Sequence, residues 1–292
     1  MNTNYEKVKS DLLAFGKRNG ACVEQYQRLY KAESIEEVIS VVKDNFWWCA
    51  GHRDFADVIM ANREQFAEHQ IWVNQDVEIR EGVGYLLATE GEINAESRET
   101  STINARSLGT STINATSWDT STINATSWDT STINARSLGT STINATSYDT
   151  STINARSLDT STINATSLDT STINARSLGP STINARSLGT STINATSWGT
   201  STINARSWDT STINATSWDS STINATSWGT STINATSWDT STINAESWGT
   251  STMIIRSSNV ECQVKDRSIA RYVHENRIVV ADDSIKVEKA QE

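Results

Sequence analysis

The chain predicts a mainly β fold: a decapeptide-repeat β-solenoid between a small N-terminal helical domain and a C-terminal β cap. Three observations predict it. First, the unit Thr-Ser-Thr-Ile-Asn-Ala-x-Ser-x-x recurs fifteen times from Thr100 to Gly249 without insertion or deletion, with Pro180 and Ser220 in place of its first Thr. A strict short period means that each unit meets only its neighbours, so the fold is a stack. Second, the unit alternates with period two, as a strand does. Third, its tenth position is Gly or Asp, both turn residues.

Residues 1–72 form the head. Val8, Leu12 and Phe15 fall at helical spacing, with Gly16 or Gly20 to end the helix. Cys22 to Ala32 suits a second helix with Tyr26, Leu29 and Tyr30 on one side. Ser34 before Glu36 and Glu37 is an N-cap with acid in the first turn. Ile35, Val38, Ile39, Val42 and Phe46 make a third apolar stripe, and Phe55, Val58, Ile59 and Phe66 a fourth. Four such helices close one core. Phe46-Trp47-Trp48 is bulky enough to be a docking surface, but a core that seals the head against the first coil is the expected role. Cys49 and His52 have metal-like spacing, but two ligands fall short of the three or four that zinc takes.

Residues 73–99 are the transition. Val77 and Ile79, then Val83, Tyr85 and Leu87, alternate as strands. Glu90 to Glu99 is a degenerate decapeptide whose charge suits an end coil.

In the repeat, 100–249, positions two, four, six and eight are Ser, Ile, Ala and Ser, small enough to fill a narrow interior. Positions one, three and five are Thr, Thr and Asn, and face solvent. Position seven is Thr or Arg (Arg106, Arg136, Arg156, Arg176, Arg186, Arg206), with Glu246 once; such tolerance of charge marks an outward site. Pro180 at position one places that position near the bend. A ten-residue coil leaves almost no interior, so twenty residues per coil is expected. At one strand spacing per coil, the rod is then roughly 36 Å long.

Three sets of repeat residues are candidates for function. Asn104, Asn114, Asn124 and Asn214 stand for a column of position-five amides that would hydrogen-bond from layer to layer. Position nine is Leu, Tyr or Trp, and six successive units carry Trp198, Trp208, Trp218, Trp228, Trp238 and Trp248. Turned inward they are a stacked corner of the core, the expected placement. Turned outward they are a contact stripe for a partner or another copy of the chain. Positions one and three give Thr-x-Thr rows, represented by Thr110 and Thr112, Thr120 and Thr122, Thr210 and Thr212, and Thr230 and Thr232. Thr is also simply a good, soluble strand residue.

These rows resemble the flat Thr arrays of ice-binding β-solenoid proteins, and Ser-Thr-x-x-Ala resembles the coils of bacterial ice-nucleation proteins. The resemblance implies ordered water or ice as ligand. In frames of five the chain also resembles pentapeptide-repeat proteins. Ile103 and Leu108 would be centres there, with Ser101 and Arg106 two residues before. That resemblance implies an acidic DNA mimic that binds a topoisomerase.

In the tail, 250–292, Thr250 to Ser258 is a last, eroded unit. Cys262 to Val264, Ser268 to Val273 and Arg277 to Val280 read as strands of a cap. Asp282 to Ser284 reads as a turn before a strand from Ile285 to Val287, and His274 as a surface residue. Ala21 to Gln27 with Asp44 to Trp47, and Ser268 to Arg271 with Ala281 to Lys286, resemble a group of bacterial and phage repeat proteins of Bacteroidetes-type genomes. That group brings no established activity with it.

The formal net charge of −10 and pI of about 4.9 disfavour direct binding to nucleic acid or to an anionic membrane. Much of the excess acid lies outside the repeat. Three cysteines, none in the repeat, cannot all pair within one chain and read as reduced thiols. No leader-like or bilayer-length apolar run is visible, so a cytoplasmic protein is expected. A surface of Ser, Thr and Asn offers no base to activate a nucleophile, so no enzyme and no cofactor is expected. The expected partner is ordered water, ice or another protein, including a second copy.

Overall fold

The fold was obtained as a computed structural model that describes residues 3–238, 242–257, 260–264 and 269–280. It is a β-solenoid with twenty-residue coils. Each coil contributes one strand to each of two sheets. Strands of consecutive units alternate between an 11-stranded sheet, here the first sheet, and a 12-stranded second sheet. Pairing is parallel and in perfect register at an offset of twenty. In the second sheet Thr152 pairs with Thr132 and Thr172, and Asn154 with Asn134 and Asn174. The first sheet does the same with Thr162 between Thr142 and Thr182.

The alternation explains the register. Ile at position four is 0% exposed in all fifteen units, and Ala and Ser at six and eight are buried with it. Sliding a strand by one residue would turn Ile to water and Thr or Arg inward. Burying one Ile is worth roughly 1.5–3 kcal/mol, so two per coil strongly oppose such a slip. β-Branched Thr and Ile favour the extended backbone between bends. The bends use left-handed residues at position ten, among them Gly109 at φ 73°, Asp129 at 62° and Asp149 at 57°. Gly139 lacks positive φ but has another reason to be Gly. A Cβ there would lie 2.4 Å from the Asp119 carbonyl oxygen.

The head contains six helices among the described residues, not four. They are α1 (Thr3–Arg18), α2 (Val23–Lys31), α3 (Ile35–Asp44), α4 (Phe46–Cys49), α5 (Asp54–Ala61) and α6 (Arg63–Glu68). Short turns split the third and fourth apolar stripes. Gly20 ends the first helix at φ 70°, and the Ser34 hydroxyl accepts from Glu37 N at 3.2 Å as the N-cap of α3. Leu29 is buried, but Tyr30 is 66% exposed, so the apolar side of α2 is narrower than expected.

Strands begin at Ile71, two residues before the expected boundary, because Ile71–Val73 already pairs with Tyr85–Leu87. The expected Val83, Tyr85, Leu87 alternation is reversed in meaning. Gly84, Leu86 and Ala88 face the solenoid interior, whereas buried Leu87 and half-buried Tyr85 pack into the head core. This strand is apolar on both faces because the head covers its outer side.

At the other end Ile269–Tyr272 pairs antiparallel with Arg277–Val280, the one antiparallel pair among the described strands. A hairpin in place of another parallel coil blunts the growing edge. His274 is exposed in its turn. The expected turn at Asp282 and strand at Ile285 lie outside the described residues.

Candidate binding faces and edges

Each sheet presents an outer face ruled by columns, one strand spacing from residue to residue. From one edge to the other they are position three (Thr), five (Asn), seven (Thr or Arg) and nine (Leu, Tyr or Trp). The coil length of twenty decides which residues share a column. Asn104 and Asn124 lie on the first sheet, Asn114 and Asn214 on the second. The amides are stacked in two ladders: Asn124 Nδ2 donates to Asn104 Oδ1, and Asn214 Nδ2 to Asn194 Oδ1, each at 2.8 Å. Asn114 donates to Asn94 at 2.9 Å and accepts from Asn134 at 2.7 Å. Every rung donates toward the preceding coil, so the amide dipoles align along the rod. On the second sheet the donor end meets a carboxylate. Asn94 donates its backbone N–H at 2.7 Å and its Nδ2 at 3.1 Å to Asp76 Oδ1.

The Thr-x-Thr pairs are not coplanar. Thr112, Thr122, Thr212 and Thr232 lie half-buried on strands, whereas Thr110, Thr120, Thr210 and Thr230 are exposed in the bends. Position two turns inward between them. Along the first-sheet edge of this bend, Thr140, Thr142, Thr160, Thr162 and Pro180 flank a groove of about 430 Å³. The residues that share one face are instead Thr at three, Asn at five and Thr at seven. This array is unbroken over three coils on each sheet: Thr122 and Thr126, Thr142 and Thr146, Thr162 and Thr166 on the first, and Thr192 and Thr196, Thr212 and Thr216, Thr232 and Thr236 on the second.

The Trp residues are not a corner of the core. The solenoid core contains Ile, Ala and the end-coil residues but no position-nine side chain. With twenty residues per coil the Trp run also divides between two edges. Trp198, Trp218 and Trp238 follow second-sheet strands; Trp208 follows a first-sheet strand, and Trp228 and Trp248 end first-sheet strands. They are half-exposed, and Trp238 reaches 52%. Trp198 stacks on Trp218 at 4.7 Å and Trp208 on Trp228 at 4.8 Å. Arginine covers the N-terminal face of each pile, Arg176 over Trp198 at 4.2 Å and Arg186 over Trp208 at 4.8 Å. These Arg–Trp piles join positions 22 residues apart and become legible only once the coil length is known.

The alternation within each strand also corrects the five-residue frame. Arg106 and its equivalents point outward, not to the small inward site that frame requires. Arg106 itself is buried by the head rather than by the solenoid. It donates to the Trp47 carbonyl and stacks on Trp128 at 5.0 Å, and burial lowers its pKa from the ordinary value. Phe46 meets Tyr85 at 5.0 Å and Arg53 meets Asp129 at 3.5 Å, which fixes the head on the outer side of the first sheet.

In the head, an apolar pocket of about 200 Å³ is lined by Leu12, Phe15, Tyr26, Leu29, Trp48 and Cys49 among others. Burial pushes the Cys49 thiol up to about 12, which keeps it protonated. His52 lies edge-on to Trp48 at 4.8 Å and to Phe15 at 5.9 Å. That pair therefore belongs to an aromatic cluster, and no group of three metal-ligating side chains occurs among the described residues. No described helix is long and apolar enough to cross a membrane. Comparison with protein-family models, with curated proteins and with solved structures finds no match.

Proposed function

We propose that this protein is a non-enzymatic cytoplasmic rod that works through its repeated surface, with ordered water or ice as the ligand of its outer faces. The observation that carries this reading is the Thr-Asn-Thr lattice, in perfect register over three coils on each sheet. Its rows repeat about every 4.8 Å along the rod, and positions three and five stand roughly 6.6 Å apart along a strand. Each Asn side chain spends one of its two amide donors on the preceding coil, which holds the lattice rigid and leaves the second N–H, with hydroxyls and methyls, to meet water. A fixed lattice binds an ordered phase without the entropy cost of ordering its own side chains.

The test uses ice-recrystallisation inhibition by the full chain at micromolar concentration. Thr126→Arg, Thr146→Arg and Thr166→Arg together spoil the first-sheet lattice with a residue that position seven accepts elsewhere, so the fold is retained. Weaker inhibition by the triple variant is expected, with the second-sheet lattice left to act. No inhibition by the unmodified chain would end the reading.

A second reading is favoured by one observation, the half-exposed Trp piles along both edges. Rods would associate laterally through them. Light scattering that persists after Trp198, Trp218 and Trp238 are replaced by Thr would count against it on that edge.

A further inference from the structure

Position seven looks irregular in the sequence, but the coil length sorts it. Arg136, Arg156 and Arg176 alternate along the chain with Thr126, Thr146 and Thr166, and fall on opposite sheets. The three arginines are direct register partners on neighbouring strands of the second sheet. All three are exposed, about 4.8 Å from one to the next. None enters an ion pair among the described residues. Like charges side by side on adjacent strands are destabilising. Thr fills the same site at Thr116 and Thr196, on the strands either side, so the fold does not require the arginines, although Arg176 also lies over Trp198 at 4.2 Å.

The same three coils carry an opposite column. Asp129, Asp149 and Asp169 occupy the bends that lead into the three arginine-bearing strands. All are exposed and all have positive φ. They repeat at the same strand spacing, because the strands before them are register partners. Asp129 also meets Arg53, while Asp149 and Asp169 have no ion pair among the described residues. Each Asp precedes its Arg by seven residues, which sets the two columns at opposite ends of one strand. Between them lie only Thr and the Asn ladder. The head packs on the first sheet, so the outer face of the second sheet is clear of it.

We propose that the second sheet docks face to face on the second sheet of another copy of this chain, Arg136, Arg156 and Arg176 meeting that copy's Asp129, Asp149 and Asp169. A two-fold axis parallel to the rod reverses the strand direction and keeps the coil order. It therefore brings each arginine to the carboxylate of the same coil, six pairs in all. The occupant is a second copy, rather than any acidic chain, because its carboxylates repeat at the spacing of stacked strands, as these arginines do. Docking covers the second-sheet Thr lattice and leaves that of the first sheet open, so the dimer keeps one water-binding face and the failure of either reading does not decide the other.

Sedimentation velocity on the full chain tests it. Dimers are expected at low ionic strength and dissociate as salt rises. Replacing the three arginines by Thr should weaken dimerisation roughly a hundredfold, the loss of six exposed ion pairs. A variant with Arg136, Arg156 and Arg176 changed to Asp, and another with Asp129, Asp149 and Asp169 changed to Arg, should each be monomeric and should dimerise when mixed. Should the Asp-to-Arg variant fail to fold, the three Asp-to-Gly changes replace it, Gly being the residue of these bends at Gly109 and Gly189; loss of dimer is then expected. A monomeric unmodified chain, a dimer indifferent to the arginine-to-Thr change, or swapped variants that stay apart on mixing would each overturn the proposal. Association lost on Trp replacement, with the arginine variant unaffected, would also overturn it in favour of the edges.

Discussion

At the scale of the residue, near-identical positions carry different energies according to what they touch. Asn174 donates to Asn154 at 2.8 Å and accepts from Asn194 at 2.8 Å. Asn104 stands at the start of its ladder and accepts from Asn124. Thr fits the strand as well as Asn does, so substitution isolates the amide bonds. Asn174→Thr is expected to lower stability by about 1–2 kcal/mol, and Asn104→Thr by about half as much, since a net hydrogen bond is worth roughly 1 kcal/mol. Chemical denaturation of the two variants checks the ratio. The interior serines behave differently. Ser177 pairs with Ser181 across the bend, whereas the buried hydroxyl of Ser187 has no hydrogen-bond partner. Ser187→Ala removes an unsatisfied group and should be neutral or stabilising within about 1 kcal/mol. Ile183→Ala four residues away should cost about 2–5 kcal/mol. A Ser187→Ala loss as large as the isoleucine loss would show that this hydroxyl is bonded after all.

At the scale of the element, strands were legible in the sequence and bends were not. The period of two states which side chains enter the core, and Ile103, Ala105 and Ser107 are buried as that period requires. The bend breaks the period, so the placements of positions nine, ten and one could not be read by alternation. Trp198 was therefore expected in a core corner and lies half-exposed on an edge, and Thr110 was expected beside Thr112 on a face and lies in a turn. The head shows the same limit. Its apolar stripes mark helices, but the turns at Asn45 and Asn62 that split two stripes leave little apolar signature. Position ten gives the test of what a bend tolerates. Gly and Asp exchange there along the sequence, yet Gly139 has Asp119 backbone atoms within 2.4–2.8 Å of where a Cβ would stand. At Gly109 the nearest atom is the mobile end of Arg53, 3.3 Å away. Gly139→Asp should destabilise by about 1–3 kcal/mol through overpacking against backbone. Gly109→Asp should be close to neutral, with αL already occupied by Asp at Asp119 and Asp129. Thermal unfolding of the two variants separates the cases.

At the scale of the whole molecule, coil length rather than unit length governs what the surface presents. Ten residues make one strand and one bend; twenty return the chain to the same sheet. Deleting 160–169 would leave every remaining decapeptide intact and remove no arginine. It would also move everything beyond the cut to the opposite sheet. Arg136 and Arg156 would stay on the second sheet while Arg176 crossed to the first, and the two Trp edges would exchange places. Deleting 210–229 instead removes one whole coil, keeps Arg136, Arg156 and Arg176 in one column, and takes one Trp from each edge. Both shortened chains should remain folded rods, because each buries its Ile and Ala against equivalent neighbours and stability in such stacks adds by nearest-neighbour contacts. Small-angle scattering should show the twenty-residue deletion shorter by about 4.8 Å, one strand spacing. The surfaces should part company. The twenty-residue deletion retains salt-sensitive association through the second sheet. The ten-residue deletion, although it removes less of the chain, weakens it by breaking the arginine column and by taking Asp169 from the carboxylate column. Equal association by the two would mean that the sorted arginines do not act as a unit. Loss of helical and strand circular dichroism in the ten-residue deletion alone would mean that head and cap require their original phase across the solenoid.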